Sequence, residues 1–495
     1  MTDTPATRDG LNSGRPTVLR GGTVLTMDRS DTVLERGDVL IVDDRIEAVG
    51  TDLEVPDDAV EIDASGGIVM PGMIDTHRHM WQTAMRGYGA DWTLTQYFVF
   101  YYLNWGKIFR PEDIHAGNLL AAVEALDAGV TTVVDWSHGL QTVDHAEAAA
   151  DALTAMPGRY VLAYGNIQAG PWEWVPSADV RAFIDRRRGG KEDLLQVQLA
   201  FDVTGDPAFP EKAAFEAARE QGLRVTTHAG VWGATNDNSI QLMCDHGFMT
   251  PDVTYVHAAS LSHDSYQRIA ASGAFASVST ESEQSAGQGY PPTYALRRHG
   301  IPVSLSMDTS VWWSGDLFNA MRATLSADRS RDHLDTQADG DTVVYNALRA
   351  DDVVRWGTRG GAQALDLDDL VGSLEPGKKA DVVLVKNDRS PAMYPILHPY
   401  GHVVFQATRA DVHSVFVNGR AVKYAHELVD VDLQRAKDEV GRTIDYLRSE
   451  MGEQEWRSGM SPDLPEQQLF DNPYQYTDWE GGRGAKGVIP SAGRA

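Results

Sequence analysis

The sequence predicts an α/β protein, a (β/α)8 TIM barrel with a small discontinuous β-sandwich domain built from both ends of the chain. Eight short apolar runs alternate with helical periods over residues 71–367, which is the element count of such a barrel. Two blocks of short β-type runs, at residues 17–70 and 368–428, flank that region. The alternative for the middle region is an open, doubly wound sheet.

The two flanking blocks are predicted to form one small domain together. Residues 1–16 are polar and expected to be disordered, and the turn sequences GG, RGD and DDR then separate the first strands. The predicted strands of this domain are residues 17–19, 23–27, 39–42, 45–49 and 62–70 near the N-terminus, and 380–386, 403–406, 412–417 and 421–424 near the C-terminus.

Each apolar run of the middle region is a predicted barrel strand. The first run ends at His79, and the other seven are residues 130–136, 160–166, 194–203, 223–230, 253–260, 274–280 and 301–308. Helical patterns fall between the runs, for example at residues 113–129, 143–156, 210–221, 262–272 and 293–299.

The C-terminal region, residues 429–495, is predicted to contain one amphipathic helix followed by an extended tail. The helical pattern covers residues 432–448, and the remainder is rich in Gly, Pro and polar residues with scattered Trp and Tyr. Such a composition rarely forms a core of its own. We therefore expect the tail to wrap over the barrel or a neighbouring subunit, or to be partly disordered, and its aromatic residues suggest a homodimer contact.

Composition excludes several functional classes. The chain has 495 residues and 42% hydrophobic content, with 43 Lys and Arg against 71 Asp and Glu, for a formal charge of −28. Binding to nucleic acid or to an anionic membrane is not expected, because both need a positive surface. The single cysteine, Cys244, excludes a disulfide framework. With no signal-peptide pattern and no membrane-spanning apolar run, we expect a cytoplasmic protein.

The strongest local signal is a pair of histidines at the end of the first predicted barrel strand. His77 and His79 are two residues apart, so their side chains share one face of the strand. Three other predicted strands carry His228, His257 and Asp308 at or near their C-terminal ends. Barrel enzymes build their sites at the C-terminal ends of the strands, and imidazole and carboxylate groups ligate divalent cations. These residues therefore predict a metal site.

The motifs around these residues resemble the amidohydrolase superfamily, in particular the branch of cytosine, guanine and adenosylhomocysteine deaminases and triazine hydrolases. The resemblance covers almost the whole chain, and the two most specific segments are PGMIDTHRH at residues 71–79 and GSLEPGKKADVVLV at 372–385. It implies a barrel with a discontinuous β-sandwich, one Zn²⁺ or Fe²⁺ per chain, and often a homodimer.

By this resemblance, His77, His79, His228 and Asp308 match the metal ligands, and His257 matches the histidine that contacts the attacking water or the substrate. A divalent ion lowers the pKa of a bound water, Asp308 would accept its proton, and His257 would orient it. Binuclear relatives use a lysine on the fourth strand, and residues 194–203 contain none. We therefore expect one metal ion, with Zn²⁺ favoured over Fe²⁺.

One position departs from the deaminase pattern. The branch has a proton-shuttling glutamate three residues after the third histidine, where this chain has Val231. Glu281 and Glu283 follow the seventh predicted strand and share one face if that strand stays extended. Either could act as general acid/base, with Glu281 favoured for the catalytic role and Glu283 placed at the substrate. Solvated loop carboxylates are the alternative.

Aromatic residues near the strand ends predict a largely apolar pocket for a planar or apolar small molecule. His138, which directly follows the second predicted strand, is a further substrate-binding candidate, although a structural role is the simpler interpretation for it. The four tryptophans assigned to the pocket are Trp92, Trp136, Trp232 and Trp312.

The predicted activity is hydrolysis of a C–N bond, as in deamination of a heterocyclic or aromatic nitrogen compound. Hydrolysis of an amide, carbamate or C–Cl bond is the alternative, because it needs less proton donation to the leaving group and tolerates Val231. A barrel kept only for ligand binding is a third hypothesis, which the intact set of ligand residues disfavours.

Overall fold

The structure, a computed structural model, describes residues 10–231 and 237–463. The strands are β1 Thr17–Leu25, β2 Val33–Val42, β3 Arg45–Gly50, β4 Val60–Asp63, β5 Ile68–Pro71, β6 Met73–Arg78, β7 Val130–Ser137, β8 Arg159–Tyr164, β9 Leu195–Ala200, β10 Val225–Ala229, β11 Val253–His257, β12 Phe275–Val278, β13 Val303–Leu305, β14 Val382–Val385, β15 Val412–Val417, β16 Arg420–Tyr424 and β17 Glu427–Leu428.

The α-helices are α1 Leu94–Gln96, α2 Pro111–Asp127, α3 Val143–Thr154, α4 Pro171–Trp174, α5 Ala178–Arg187, α6 Lys212–Gln221, α7 Asn238–Asp245, α8 His263–Ser272, α9 Thr280–Ala286, α10 Thr293–His299, α11 Leu317–Ala338, α12 Ala350–Arg355, α13 Gly361–Ala364, α14 Pro399–Phe405, α15 Leu433–Met451 and α16 Glu453–Ser458. Two segments, Tyr97–Trp105 and Trp356–Gly360, are π-helical. No helix within the described ranges combines the length and the apolar character needed to cross a bilayer.

Strands β6 to β13 form an eight-stranded parallel sheet in chain order. The sheet is closed between its first and last strands, where the amide of His79 donates to the carbonyl of Asp308 at 2.8 Å and the amide of Asp308 donates to the carbonyl of His77 at 3.1 Å. The predicted (β/α)8 barrel is therefore confirmed.

The second sheet has nine strands from both ends of the chain, in the order β17-β16-β15-β14-β5-β1-β2-β3, with β4 beside β1. Strand β5 pairs with β14 in the antiparallel sense, which joins the two blocks. One predicted strand, residues 403–406, was wrong because that segment belongs to helix α14. Pro399 starts the helix and the His398 side chain accepts the amide of Gly401 at 2.9 Å, which favours the helical turn.

The predicted disorder of residues 1–16 was wrong for the part that the structure describes. Leu11 is buried, and the Asn12 side chain exchanges two hydrogen bonds with the backbone of Ala421, at 2.8 and 3.0 Å. Residues 1–9 lie outside the described residues.

A helix, α15, lies close to the predicted position in the C-terminal region. It packs on α2, where the hydroxyl of Thr443 donates to Asp113 at 2.8 Å. Beyond α16, the carbonyl of Gly459 accepts the indole N–H of Trp92 at 2.8 Å. This part of the C-terminal region therefore wraps over the loop that follows β6, while residues 464–495 lie outside the described residues.

Candidate active site

Five side chains predicted from the sequence meet at the C-terminal mouth of the barrel. His77 lies on β6 with His79 just beyond it, and Nε2 of each is 3.3 Å from Oδ1 of Asp308. Nitrogen atoms of His77, His79 and His228 all lie within 4.8 Å of one another, and the same holds for ligand atoms of His77, His257 and Asp308. The parallel strands bring these residues together because their carboxyl ends share one mouth of the barrel.

Contacts behind the imidazoles orient two of them. Nδ1–H of His79 donates to the carbonyl of Trp136 at 2.8 Å, which leaves Nε2 as a lone-pair donor toward the centre. Nδ1 of His228 lies 3.0 Å from a carboxylate oxygen of Asp202. Such outer contacts fix the tautomer and the ring orientation of metal-binding histidines.

The donor set fits a divalent cation. His77 is fully buried, and neither of its ring nitrogens has a hydrogen-bond partner within the described residues. Burial lowers the pKa of His77 far below its ordinary value and that of His79 to about 4, so both rings are neutral at physiological pH. Burial opposes ionisation of Asp308, but the surrounding imidazoles hold its pKa well below the usual range. Neutral imidazoles beside a carboxylate are ligands typical of Zn²⁺.

Two of these residues adopt a left-handed backbone. His257 has φ of +67° and Asp308 has φ of +64°. This conformation costs about 1–3 kcal/mol for residues other than glycine and is concentrated at functional sites. Ligand atoms of these two side chains lie within 4.8 Å of each other.

The seventh barrel strand does not stay extended, so the predicted shared face of Glu281 and Glu283 was wrong. Strand β12 ends at Val278, and α9 begins at Thr280. The amide of Ser279 donates to the carboxylate of Glu283 at 2.8 Å, which closes the first helical turn. Residues two apart on a helix do not face the same side.

Helix α9 separates the surroundings of the two glutamates. Glu283 is fully buried, and its Oε1 lies 3.4 Å from Nδ1 of His257. Its neighbour Ser282 donates to Oδ2 of Asp308 at 2.5 Å. Glu281 instead accepts a hydrogen bond from Ser314 at 3.0 Å and does not line the cavity described below.

Above neutral pH, the Glu281→Gln variant should have a larger free energy of unfolding than the wild type. Burial raises the pKa of Glu281 to about 7 from an ordinary value of 4.5, so the folded state binds this proton more tightly than the unfolded state. Stability contributed by the protonated form is complete below pH 4.5 and is lost as the pH rises through 7. We expect the variant to gain ~1–2 kcal/mol in denaturant unfolding at pH 8. A gain equally large at pH 4.5 would contradict this origin.

A cavity of about 690 Å³ opens from the centre to solvent. Two of the three tyrosines of the π-helical segment, Tyr97 and Tyr102, line it together with Phe98 and Trp312. The structure thus places Trp312 at the cavity as predicted. Phe98 and Tyr102 were not predicted from the sequence, although the aromatic run YFVFYY at residues 97–102 was an available signal.

The other predicted aromatic contacts have different surroundings. Trp136 packs against His228 with ring centroids 4.4 Å apart, and His138 stacks on His79 at 3.9 Å. Both line an adjoining cavity rather than the one at the centre. Trp92 is buried and does not line the cavity at the metal centre, and Trp232 lies outside the described residues.

A barrel whose strand ends hold three imidazoles and a carboxylate at one point defines a metal-dependent hydrolase of the barrel class. The amidohydrolase family model matches residues 68–422. The chain belongs to the amidohydrolase family, and it is a hydrolase that acts on carbon–nitrogen bonds. The resemblance seen in the sequence is thereby confirmed.

Two relatives cover most of the chain. A 5-methylthioadenosine/S-adenosylhomocysteine deaminase of Pelotomaculum thermopropionicum is 28% identical over 84% of this chain and 95% of its own length. A 5'-deoxyadenosine deaminase of Methanosarcina mazei is 26% identical over 87% of this chain and 98% of its own length.

Solved structures of similar fold include an adenosine deaminase from Xanthomonas campestris with bound zinc, with a TM-score of 0.75, 21% identity, and coverage of 88% of this chain and 98% of that one. An atrazine chlorohydrolase from Arthrobacter aurescens, complexed with zinc and atraton, has a TM-score of 0.73, 23% identity, and coverage of 86% and 100%.

Proposed function

We propose that this amidohydrolase deaminates a nitrogen heterocycle or an aromatic amine, with one divalent ion held by His77, His79, His228 and Asp308. The observation that carries the proposal is the approach of Nε2 of His77 and of His79 to the same Asp308 oxygen, at 3.3 Å each. The deaminase relatives support the choice of reaction.

The proposed chemistry divides between the ion and the protein. A divalent ion in this centre would lower the pKa of a water and polarise the electrophilic carbon of the substrate. Asp308 would take the proton of the attacking water, and Ser282 would hold the second oxygen of Asp308 while it does so. His257 would orient the water and stabilise the tetrahedral adduct.

A second proton carrier is needed because position 231 is a valine. We assign this part to His257, with Glu283 as the positioning residue behind it. The carboxylate of Glu283, 3.4 Å from Nδ1 of His257, fixes the ring so that Nε2 faces the reacting atoms. His257 would receive the water proton from Asp308, since ligand atoms of the two residues lie within 4.8 Å of each other, and would pass it to the leaving nitrogen, which departs as ammonia. Glu281 would have no part in the transfer.

Turnover should fall by ~10–100-fold in Glu283→Gln, which keeps the shape of the side chain but loses the charge that orients His257. Glu281→Gln is the matched control on the same helix and should retain wild-type turnover. The pH dependence of kcat should change in Glu283→Gln, because a merely structural role would leave that profile unmoved. Equal loss in both variants would contradict the assignment.

Hydrolysis of an amide, carbamate or C–Cl bond is the second candidate. Val231 is the observation that favours loss of chloride in particular, since chloride leaves without a proton. A panel of amino- and chloro-heterocycles, amides and carbamates separates the candidates. Deamination predicts ammonia release, whereas chloride or amine release without ammonia would replace the first proposal by the second.

Three finer points belong to the same proposal. We expect Zn²⁺ in preference to Fe²⁺, because three imidazoles and a carboxylate suit zinc. We expect a cytoplasmic enzyme, in keeping with its single cysteine. We also expect a homodimer, and light scattering of the purified protein tests this by its molar mass.

A further inference from the structure

Two cavities adjoin at the mouth of the barrel. The cavity at the metal centre and a neighbouring one of about 800 Å³ share Ile167 and Asp202 in their walls. The second cavity extends away from the centre past His138, Trp172 and Trp174. A substituent long enough to pass Ile167 and Asp202, on a substrate whose reacting carbon lies at the centre, would enter this second cavity.

The described walls of both cavities carry acidic side chains but no strongly basic ones. The described lining residues include no lysine and no arginine, but they include the carboxylates of Asp202 and Asp308. The carboxylate of Glu283 lies directly behind His257.

This distribution of charge selects against anions. Proteins bind carboxylate and phosphate groups mainly through arginine and lysine, whose N–H donors compensate the loss of hydration. Away from the metal centre, an anionic substituent in these walls would lose its hydration without a cationic partner and would lie near fixed carboxylates.

Aromatic rings form one part of the wall of the cavity at the metal centre. The ring of Tyr97 lies 4.6 Å from Trp312 and 5.0 Å from Tyr102, measured between centroids. Gln288, nearly fully buried, adds an uncharged amide whose carbonyl oxygen has no partner within the described residues. These surfaces suit a planar ring with neutral or donor substituents.

We infer that the substrate is a planar aromatic compound that is neutral or cationic, an inference that rests on the proposed deamination. A carboxylate or phosphate on the substituent that lies outside the metal centre would prevent productive binding. The occupant of the second cavity is then an uncharged or amine-bearing side group.

Matched ligand pairs test the inference on the metal-loaded enzyme. Adenosine and adenosine 5'-carboxylic acid share a ring system, but only the second carries a carboxylate. Atraton and its analogue with a carboxymethylamino group form a second pair. Dissociation constants from calorimetry should favour the neutral member by at least about tenfold. Equal or tighter binding of the carboxylated member would overturn the inference.

A charge introduced into the shared wall gives a second test. Ile167 is half-buried between the two cavities, so Ile167→Arg would place a cation where both can use it. We expect this variant to reduce the ratio of the two dissociation constants within each ligand pair by about tenfold, and we expect the uncharged control Ile167→Met to leave that ratio unchanged. An unchanged ratio of dissociation constants in a folded Ile167→Arg variant would count against the inference.

Affinity and turnover are read separately in these experiments. If the enzyme binds the neutral member of each pair more tightly but releases no ammonia, the proposed deamination is overturned and the inference stands. Ammonia release from carboxylated substrates, together with their tight binding, would overturn the inference and leave the deamination standing.

Discussion

Asp308→Asn should reduce turnover by at least about 10³-fold, the largest effect expected of any single change in this chain. The carboxylate has two roles in the proposed centre: it completes the donor set with His77 and His79, and it accepts the proton of the attacking water. An amide can supply an oxygen to the ion but cannot take the proton at neutral pH. Steady-state kinetics at saturating metal separate this loss from reduced metal affinity.

The control for this variant is Asp388→Asn, at a carboxylate with an exposed side chain in the small sheet domain. That change should leave turnover and thermal stability at wild-type values, because exposed carboxylates contribute little. If Asp308→Asn kept a tenth or more of wild-type turnover with metal bound, Asp308 would not be the proton acceptor.

Glu124→Ala should reduce the free energy of unfolding by ~3–5 kcal/mol, because it leaves the buried guanidinium of Arg78 without its carboxylate partner, while the uncharged hydroxyl of Ser310 stays at 3.2 Å. Arg78 lies between the two histidines of β6 and points out of the barrel, where only 1% of it is exposed. It pairs with Glu124 of α2, which also accepts from Arg86 at 2.6 Å and from Arg409 at 3.2 Å. Glu124 thus joins the first barrel strand to α2 and to the sheet domain.

Denaturant unfolding measures this effect, with Glu112→Ala as the control. Glu112 is an exposed residue of the same helix, and its pair with Arg110 is a surface ion pair. Its removal should change stability by ~0.5 kcal/mol or less. A loss below about 1 kcal/mol in Glu124→Ala would show that Arg78 finds another partner or water.

The centre could be predicted largely from sequence because barrel strands obey a simple rule. His77 and His79 share a face through the two-residue period of a strand, and each later ligand ends an apolar run. Parallel strands then bring these ends to one mouth, so no knowledge of side-chain packing is needed.

The residues behind the metal ligands and the walls of the cavity could not be predicted in this way. The start of α9 at Thr280 is accompanied by a local bond from the Ser279 amide to the carboxylate of Glu283, which the apolar periodicity of the strand does not predict. Apolar runs also fail to separate a short strand from a short helix, as the misassigned segment at residues 403–406 shows. The cavity walls depend on how the π-helical segment Tyr97–Trp105 lies over the barrel.

Metal content of the purified chain, measured by mass spectrometry beside protein concentration, tests the central claim most directly. A single centre formed by His77, His79, His228 and Asp308 predicts one divalent ion per chain in the wild type and almost none in His228→Ala, while His263→Ala, at a histidine on helix α8, should keep the ion. Two ions per chain, or one ion retained after loss of His228, would contradict the account.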